Sequence, residues 1–153
     1  FWRGGGSGSL FKQVYKGLPY YTKGVSGFVD VGDVVNAMHL LMHSEVKNEK
    51  YVLVSENLSF QTFFTMLADH LNVRPPKKEA KPWMLAIAWR LDWLNFKVFG
   101  KRRRLSKHMA QSAVEITNFS SEKYKNSFNL EFKPIEQSVG EVAKLFLKDL
   151  KNN

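Results

Sequence analysis

The sequence predicts an α/β or α+β chain, mostly helical with few short strands. Three observations carry this. First, Gly27-Phe28-Val29-Asp30-Val31-Gly32-Asp33-Val34-Val35 reads as a strand that turns directly into a helix. Phe28, Val29 and Val31 suit a buried strand, and Asp30 stands where a carboxylate can accept from an orphan amide at a helix start. Second, two long stretches repeat apolar residues at helical spacing. Third, the apolar runs with strand character, such as Tyr51 to Val54, are short.

Taken in order, Gly4 to Ser9 is the low-complexity stretch. It reads as a solvated loop, an engineered linker, or a Gly-rich turn whose amides approach a phosphate at a helix start. Leu10 to Lys16 is a helix of about two turns, followed by a loop at Pro19. After the strand at Phe28, Asp33 adds charge that the helix dipole favours in the first turn. This helix continues through Ala37, Met38, Leu41 and Met42. Tyr51 to Val54 reads as a second strand. Ser59 caps a third helix, whose Phe60, Phe63, Phe64, Leu67, Ala68 and Leu71 form a one-face stripe. Pro75-Pro76 ends that region, and Lys77 to Lys81 is an exposed loop or a short edge strand.

Trp83 to Phe99 is a helix apolar on almost every side, which needs cover all round or faces a partner or a membrane. Another helix runs roughly from Ser106 to Ile116, and Asn118 to Phe132 reads as mostly loop and turn. Pro134-Ile135 opens the last helix, with Val139, Val142, Ala143, Phe146, Leu147 and Leu150 on one face.

The 153 residues suffice for one domain with its own core, 1–153, and 44% apolar residues place the chain among globular sequences. With no cysteine, disulfides and thiolate metal sites are excluded; a cytoplasmic location fits this. Trp83 to Phe99, broken by Arg90, Asp92 and Lys97, is too short and too charged to span a bilayer. The formal net charge is +9, from 23 basic and 14 acidic residues. That balance suits an anionic partner, or an acidic remainder of a larger protein, and the scatter of the basic residues favours the second. The chain opens on Phe1 and is expected to be a piece of a larger protein.

No constellation supplies a self-contained active site. His39 and His43 have ligand spacing, but Leu40 stands where a zincin helix carries Glu, and no metal is expected. Asp30 and Asp33 read as helix-start groups. There is no Gly-x-Ser-x-Gly elbow. The basic run Lys101 to Arg104, with Lys97 and Lys107 beside it, follows Trp83, Trp89, Trp93, Phe96 and Phe99. The favoured reading is an internal helix whose aromatics line a cavity, followed by a solvated basic loop. An interfacial membrane helix is the second reading, and a nucleic-acid surface a third.

The Phe28-Val29-Asp30-Val31 run resembles the Phe-Val-Asp-Val-x-Asp-Val segment in the C-terminal half of extended short-chain dehydrogenase/reductases, the NAD-dependent epimerase/dehydratase family. Other landmarks resemble that family in the same order. They are the Gly-rich loop 4–9, Gly17-Leu18-Pro19, the strand Tyr51 to Val54, the helix from Ser59, and the closing Ser121-Glu122-Lys123 with Phe132-Lys133-Pro134. The sequence lacks the Gly-x-x-Gly-x-x-Gly fingerprint and the Tyr-x-x-x-Lys pair. Tyr15-Lys16 and Tyr124-Lys125 are adjacent, and Tyr20 with Lys23 lies in a loop.

The resemblance implies the C-terminal, substrate-side part of a Rossmann-like NAD- or NADP-dependent reductase or epimerase acting on a carbonyl or alcohol, inactive alone and without catalytic residues of its own. It implies Ser7 and Ser9 as cofactor-side contacts, and Tyr20, Tyr21 and Trp83 as substrate-pocket wall. No Arg precedes the Phe28 strand to clamp a diphosphate, so a nucleotide-sugar substrate is disfavoured. The resemblance then points to the flavanone-reductase-like or hydroxysteroid-dehydrogenase-like branch. Without the cofactor half, exposed edges and apolar faces predict self-association or swapping. The alternative is a free-standing α+β module that binds an anionic membrane surface through 83–107.

Overall fold

The computed structural model describes residues 6–100 and 105–152. Among them are seven helices and four short strands: α1 (Ser7–Tyr15), β1 (Tyr20–Tyr21), β2 (Val25–Phe28), α2 (Val31–Met42), β3 (Glu56–Ser59), α3 (Phe60–His70), β4 (Lys78–Glu79), α4 (Pro82–Phe99), α5 (Lys107–Ser112), α6 (Glu122–Phe128) and α7 (Ile135–Lys151). The mostly helical expectation with few short strands holds.

One core joins α1, α3 and α7. Phe11 and Val14 of α1 meet Phe63, Leu67 and Ala68 of α3 and Ile135, Val139, Ala143 and Phe146 of α7. The stripes read in the sequence are the buried faces here, because a helix with its apolar residues on one side gains stability only by burying that side. Ser59 Oγ accepts from the Thr62 amide at 3.0 Å and fixes the start of α3. At the α3–α7 crossing, Gly140 faces the His70 ring, and a Cβ there would lie 3.0 Å from it.

The strands form two small ladders. β2 pairs antiparallel with β3, Val25 opposite Ser59 and Phe28 opposite Glu56. β1 pairs parallel with β4, Tyr20 opposite Lys78, so the edge-strand reading of 77–81 holds. The other side of β2 meets Ile116 in a parallel bridge, fixed by Val25 N–H to Glu115 O at 2.9 Å and Thr117 N–H to Val25 O at 3.0 Å. Gly24 permits this approach, since a Cβ there would lie 2.5 Å from the Ala113 carbonyl oxygen.

Several sequence expectations need correction. The strand expected over Phe28, Val29 and Val31 ends at Phe28, and Val31 opens α2, 75% exposed. The helix expected to reach Ile116 ends at Ser112, and Ile116 bridges Val25 instead. Ser7 and Ser9 belong to α1, not to a loop over 4–9, because the Gly6 carbonyl already accepts from Ser9 N–H at 3.1 Å; Gly4 and Gly5 lie outside the described residues. Tyr51 to Val54 joins no ladder among the described residues. Pairing begins at Ser55, whose amide donates to Phe28 O at 2.8 Å. A strand needs a neighbour as well as apolar residues, and 51–54 has none among the described residues. Asn118 to Phe132 is not all loop: α6 forms there, with Tyr124 buried and its ring packed against Tyr51, Phe128 and Phe132. Finally, α4 is not internal, as no residue on it is buried.

Candidate functional site

The strand-to-helix run at Phe28 is locked from the far end of the chain. Asp30 Oδ1 accepts from the Gly32 amide at 2.7 Å, the capping role expected of it. Its Oδ2 accepts from the Ser138 hydroxyl on α7, and Lys133 Nζ lies 3.8 Å away. Asp33 Oδ2 accepts from the Lys133 amide at 2.8 Å. Next to this, Ser55 Oγ donates to Lys133 O at 2.7 Å and Glu56 Oε1 accepts from the Ile135 amide at 2.8 Å. Ser121 Oγ donates to Val54 O at 2.7 Å. The closing segment 121–138 thus staples the two central runs, 28–33 and 54–56, by side-chain hydrogen bonds.

The electrostatics follow the same geometry. Burial raises the Asp30 carboxyl, but the hydrogen bonds from Ser138 and Gly32 and the Lys133 charge outweigh it and hold the group below its ordinary range. The hydrogen bond to Glu141, at 2.9 Å, raises the Lys133 ammonium, as does Asp30. These ions are committed to holding elements together. Asp30 and Asp33 form a structural joint, in keeping with their reading as helix-start groups.

The residues expected in a ligand site fall in two places. Ser7 is exposed, and Ser9 is half-buried with its hydroxyl donating to Gly6 O at 2.7 Å. Both sit at the end of α1 remote from the turn that leads to β1. Tyr20 and Tyr21 form β1, Tyr20 exposed and Tyr21 half-buried. The Ala80 amide donates to Tyr21 O at 2.8 Å, so the β1–β4 ladder runs straight into Pro82 and Trp83 at the start of α4. Tyr20, Tyr21 and Trp83 line neither the cleft between α4 and α5 nor the groove over the α3–α7 crossing. Trp83 is 61% exposed.

Helices α4 and α5 form a cleft of about 240 Å³ lined by Leu85, Trp89, Arg90, Lys107, Gln111 and Val114. The Arg90 guanidinium lies 4.7 Å from the centre of the Trp89 ring. Asp92 Oδ2 accepts from the Leu105 amide at 3.1 Å and ties the two helices together. Apolar walls with two cations at the rim suit a small, largely apolar ligand bearing an acceptor group. The roles of Arg90 and Lys107 were not apparent from sequence, because 17 positions separate them and only the α4–α5 turn brings them to one cleft. The basic run 101–104 lies outside the described residues. A larger concavity of about 470 Å³ is an open groove over the α3–α7 crossing, lined by His70, Glu136, Gln137, Gly140, Glu141 and Lys144. It contains none of the residues expected in a site. His39 and His43 stack at 4.4 Å between ring centres, with His43 Nδ1 2.9 Å from the His39 carbonyl oxygen.

No protein-family model matches the chain, and no curated protein matches it. The chain is similar to a solved structure, the crystal structure of gox2253, with a TM-score of 0.70 and 22% identity. The match covers 92% of this chain and 43% of that one. At such identity the likeness shows the fold alone, and the chain spans less than half the length of that solved chain.

Proposed function

We propose that this chain is the substrate-side, C-terminal part of an NAD- or NADP-dependent extended short-chain dehydrogenase/reductase, with a Rossmann-like cofactor half supplied by residues outside it. The observation that carries the reading is the outward face of α2. Val31, Val35, Met38 and Met42 are 75%, 58%, 58% and 80% exposed and fall within about 60° of the helix circumference. A helix attached to the Phe-Val-Asp-Val run, with an apolar stripe turned away from its own core, is built to be covered. The run 51–54 supports the same reading, since its strand-like residues join no ladder among the described residues and a strand needs a neighbour.

In this reading the reaction is hydride transfer between a nicotinamide and a carbonyl or alcohol carbon, with the proton moved by a tyrosine of the other half. This chain contributes the wall of Tyr20, Tyr21 and Trp83, and Ser7 and Ser9 face the cofactor side. Without the other half, α2 drives self-association.

The test is made in the longer polypeptide that the reading requires. Tyr21→Ala and Trp83→Ala should each raise KM about tenfold, a loss of roughly 1.4 kcal/mol of uniform binding, with little change in kcat. A longer polypeptide that quenches neither NADH nor NADPH fluorescence would refute the reading.

A further inference from the structure

We infer that the outer face of α4 docks on an anionic lipid bilayer, lying in the plane of its interface. The inference does not depend on the proposed activity. Ile87, Leu91, Leu94 and Val98 are 49%, 55%, 49% and 61% exposed. With 3.6 residues per turn they fall within about 60° of the circumference. The stripe runs along about 17 Å of the 18-residue helix. The opposite side is covered along the first part of the helix: Leu85 and Trp89 face α5 across the cleft, and Asp92 is fixed to Leu105. Beyond Asp92 the helix is exposed on both sides, Phe96 and Phe99 being 47% and 68% exposed, so α5 holds α4 from behind only as far as Asp92.

Charge decides the occupant. Arg90 and Lys97 follow one edge of the stripe, both exposed, and Lys107 stands at the cleft rim beside Arg90. The one acid on α4, Asp92, is on the side turned to α5. Lys97 Nζ lies 5.2 Å from the centre of the Trp93 ring, so a cation and an aromatic ring share the boundary between the apolar and polar sides. Apolar side chains on one face, cations at its edge and aromatics at the border are the features of a helix that lies among acidic headgroups. No helix among the described residues is long and apolar enough to cross a membrane, which leaves the in-plane arrangement. A protein groove would place Arg90 and Lys97 against apolar surface at a desolvation cost, whereas a headgroup layer solvates them.

Vesicle sedimentation of the chain tests this, with 30% phosphatidylserine in phosphatidylcholine against pure phosphatidylcholine. Binding should be confined largely to the anionic vesicles and fall steeply as salt rises. Leu91→Asp with Leu94→Asp should abolish it. Arg90→Gln and Lys97→Gln should each weaken it about fivefold. Val35→Asp with Met38→Asp on α2 should leave it unchanged, and circular dichroism verifies that each variant keeps its helices. Trp fluorescence should shift to the blue with anionic vesicles in the unaltered chain, which needs no variant. Absence of binding, or equal binding to neutral vesicles, overturns the proposal. So does a dimer that Leu91→Asp with Leu94→Asp dissociates, which would make a second copy the occupant.

Discussion

Helices α2 and α4 both turn an apolar stripe away from the core, yet they are built differently. The α2 stripe is narrow, contains Val and Met, and the helix carries no lysine or arginine. Its start is fixed by Asp30 and its base is stapled to α7 through Ser138. The stripe on α4 contains Ile, Leu and Val and is edged by Arg90 and Lys97, and its helix begins at Lys81 with no side-chain cap. Equal exposure therefore does not imply equal partners. A neutral stripe on an anchored helix suits a packed protein interface, where charges at the core are depleted. A cation-edged stripe on a helix held mainly by its neighbour suits a headgroup layer.

The largest expected effect separates a stripe that becomes core from one that does not. Met38→Ala should cost about 2–5 kcal/mol of stability in the complete polypeptide, as for a buried large-to-small change. In the isolated chain it should stay within about 0.5 kcal/mol, as for a surface change. Urea denaturation of the two forms measures the contrast, and equal small effects in both would mean that nothing covers α2. Leu91→Ala on α4 should be small in both forms.

Next in size is the anchor of α2. Asp30→Ala removes the cap, leaves the Ser138 hydroxyl without its acceptor and leaves Lys133 with Glu141 alone as an ion-pair partner, and should cost about 1–2 kcal/mol. The same group sets an acid limit. Its carboxyl titrates below the ordinary 3.8 when folded, so the unfolded chain takes up the proton first as pH falls. The stability it contributes is complete above that ordinary value and is lost as pH drops through the folded value. Thermal unfolding of Asp30→Asn between pH 6 and pH 3 should therefore vary less with pH than the unaltered chain. A parallel loss in both would assign the acid sensitivity to other carboxylates.

How much of this was legible in the sequence differs between the two helices for physical reasons. Asp30 and Ser59 announced their caps, because the capping residue types and the apolar pattern after them are local signals. The stripes of α3 and α7 were legible because their partners lie within the chain. The run 51–54 carried strand composition, but pairing depends on a neighbour that no local pattern supplies. The α6 turn was missed because its seven residues are held by Tyr51, far away in sequence, rather than by a periodic face. For α4, composition said only that most sides are apolar. It took the position of α5 to show which side is covered and that Arg90 and Lys97 edge the other. Tyr20, Tyr21 and Trp83 were expected to line a pocket, yet they line neither the α4–α5 cleft nor the α3–α7 groove, which are built largely from helix faces.

The smallest expected effect concerns the start of α4. Pro82 at the first helical position suits the fixed φ of proline, but the Lys81 side chain offers no acceptor to the first turn. Its positive charge also stands at the positive end of the helix dipole. Lys81→Asp should therefore stabilise the isolated chain by about 0.5–1 kcal/mol through capping and dipole together. It adds an acid at the end of the stripe remote from Lys97. If a headgroup layer covers α4, vesicle affinity should fall slightly while the melting temperature rises. A protein partner covering the same face would instead gain from the firmer helix. The two quantities, read on one variant, thus move in opposite directions only when the covering surface is anionic.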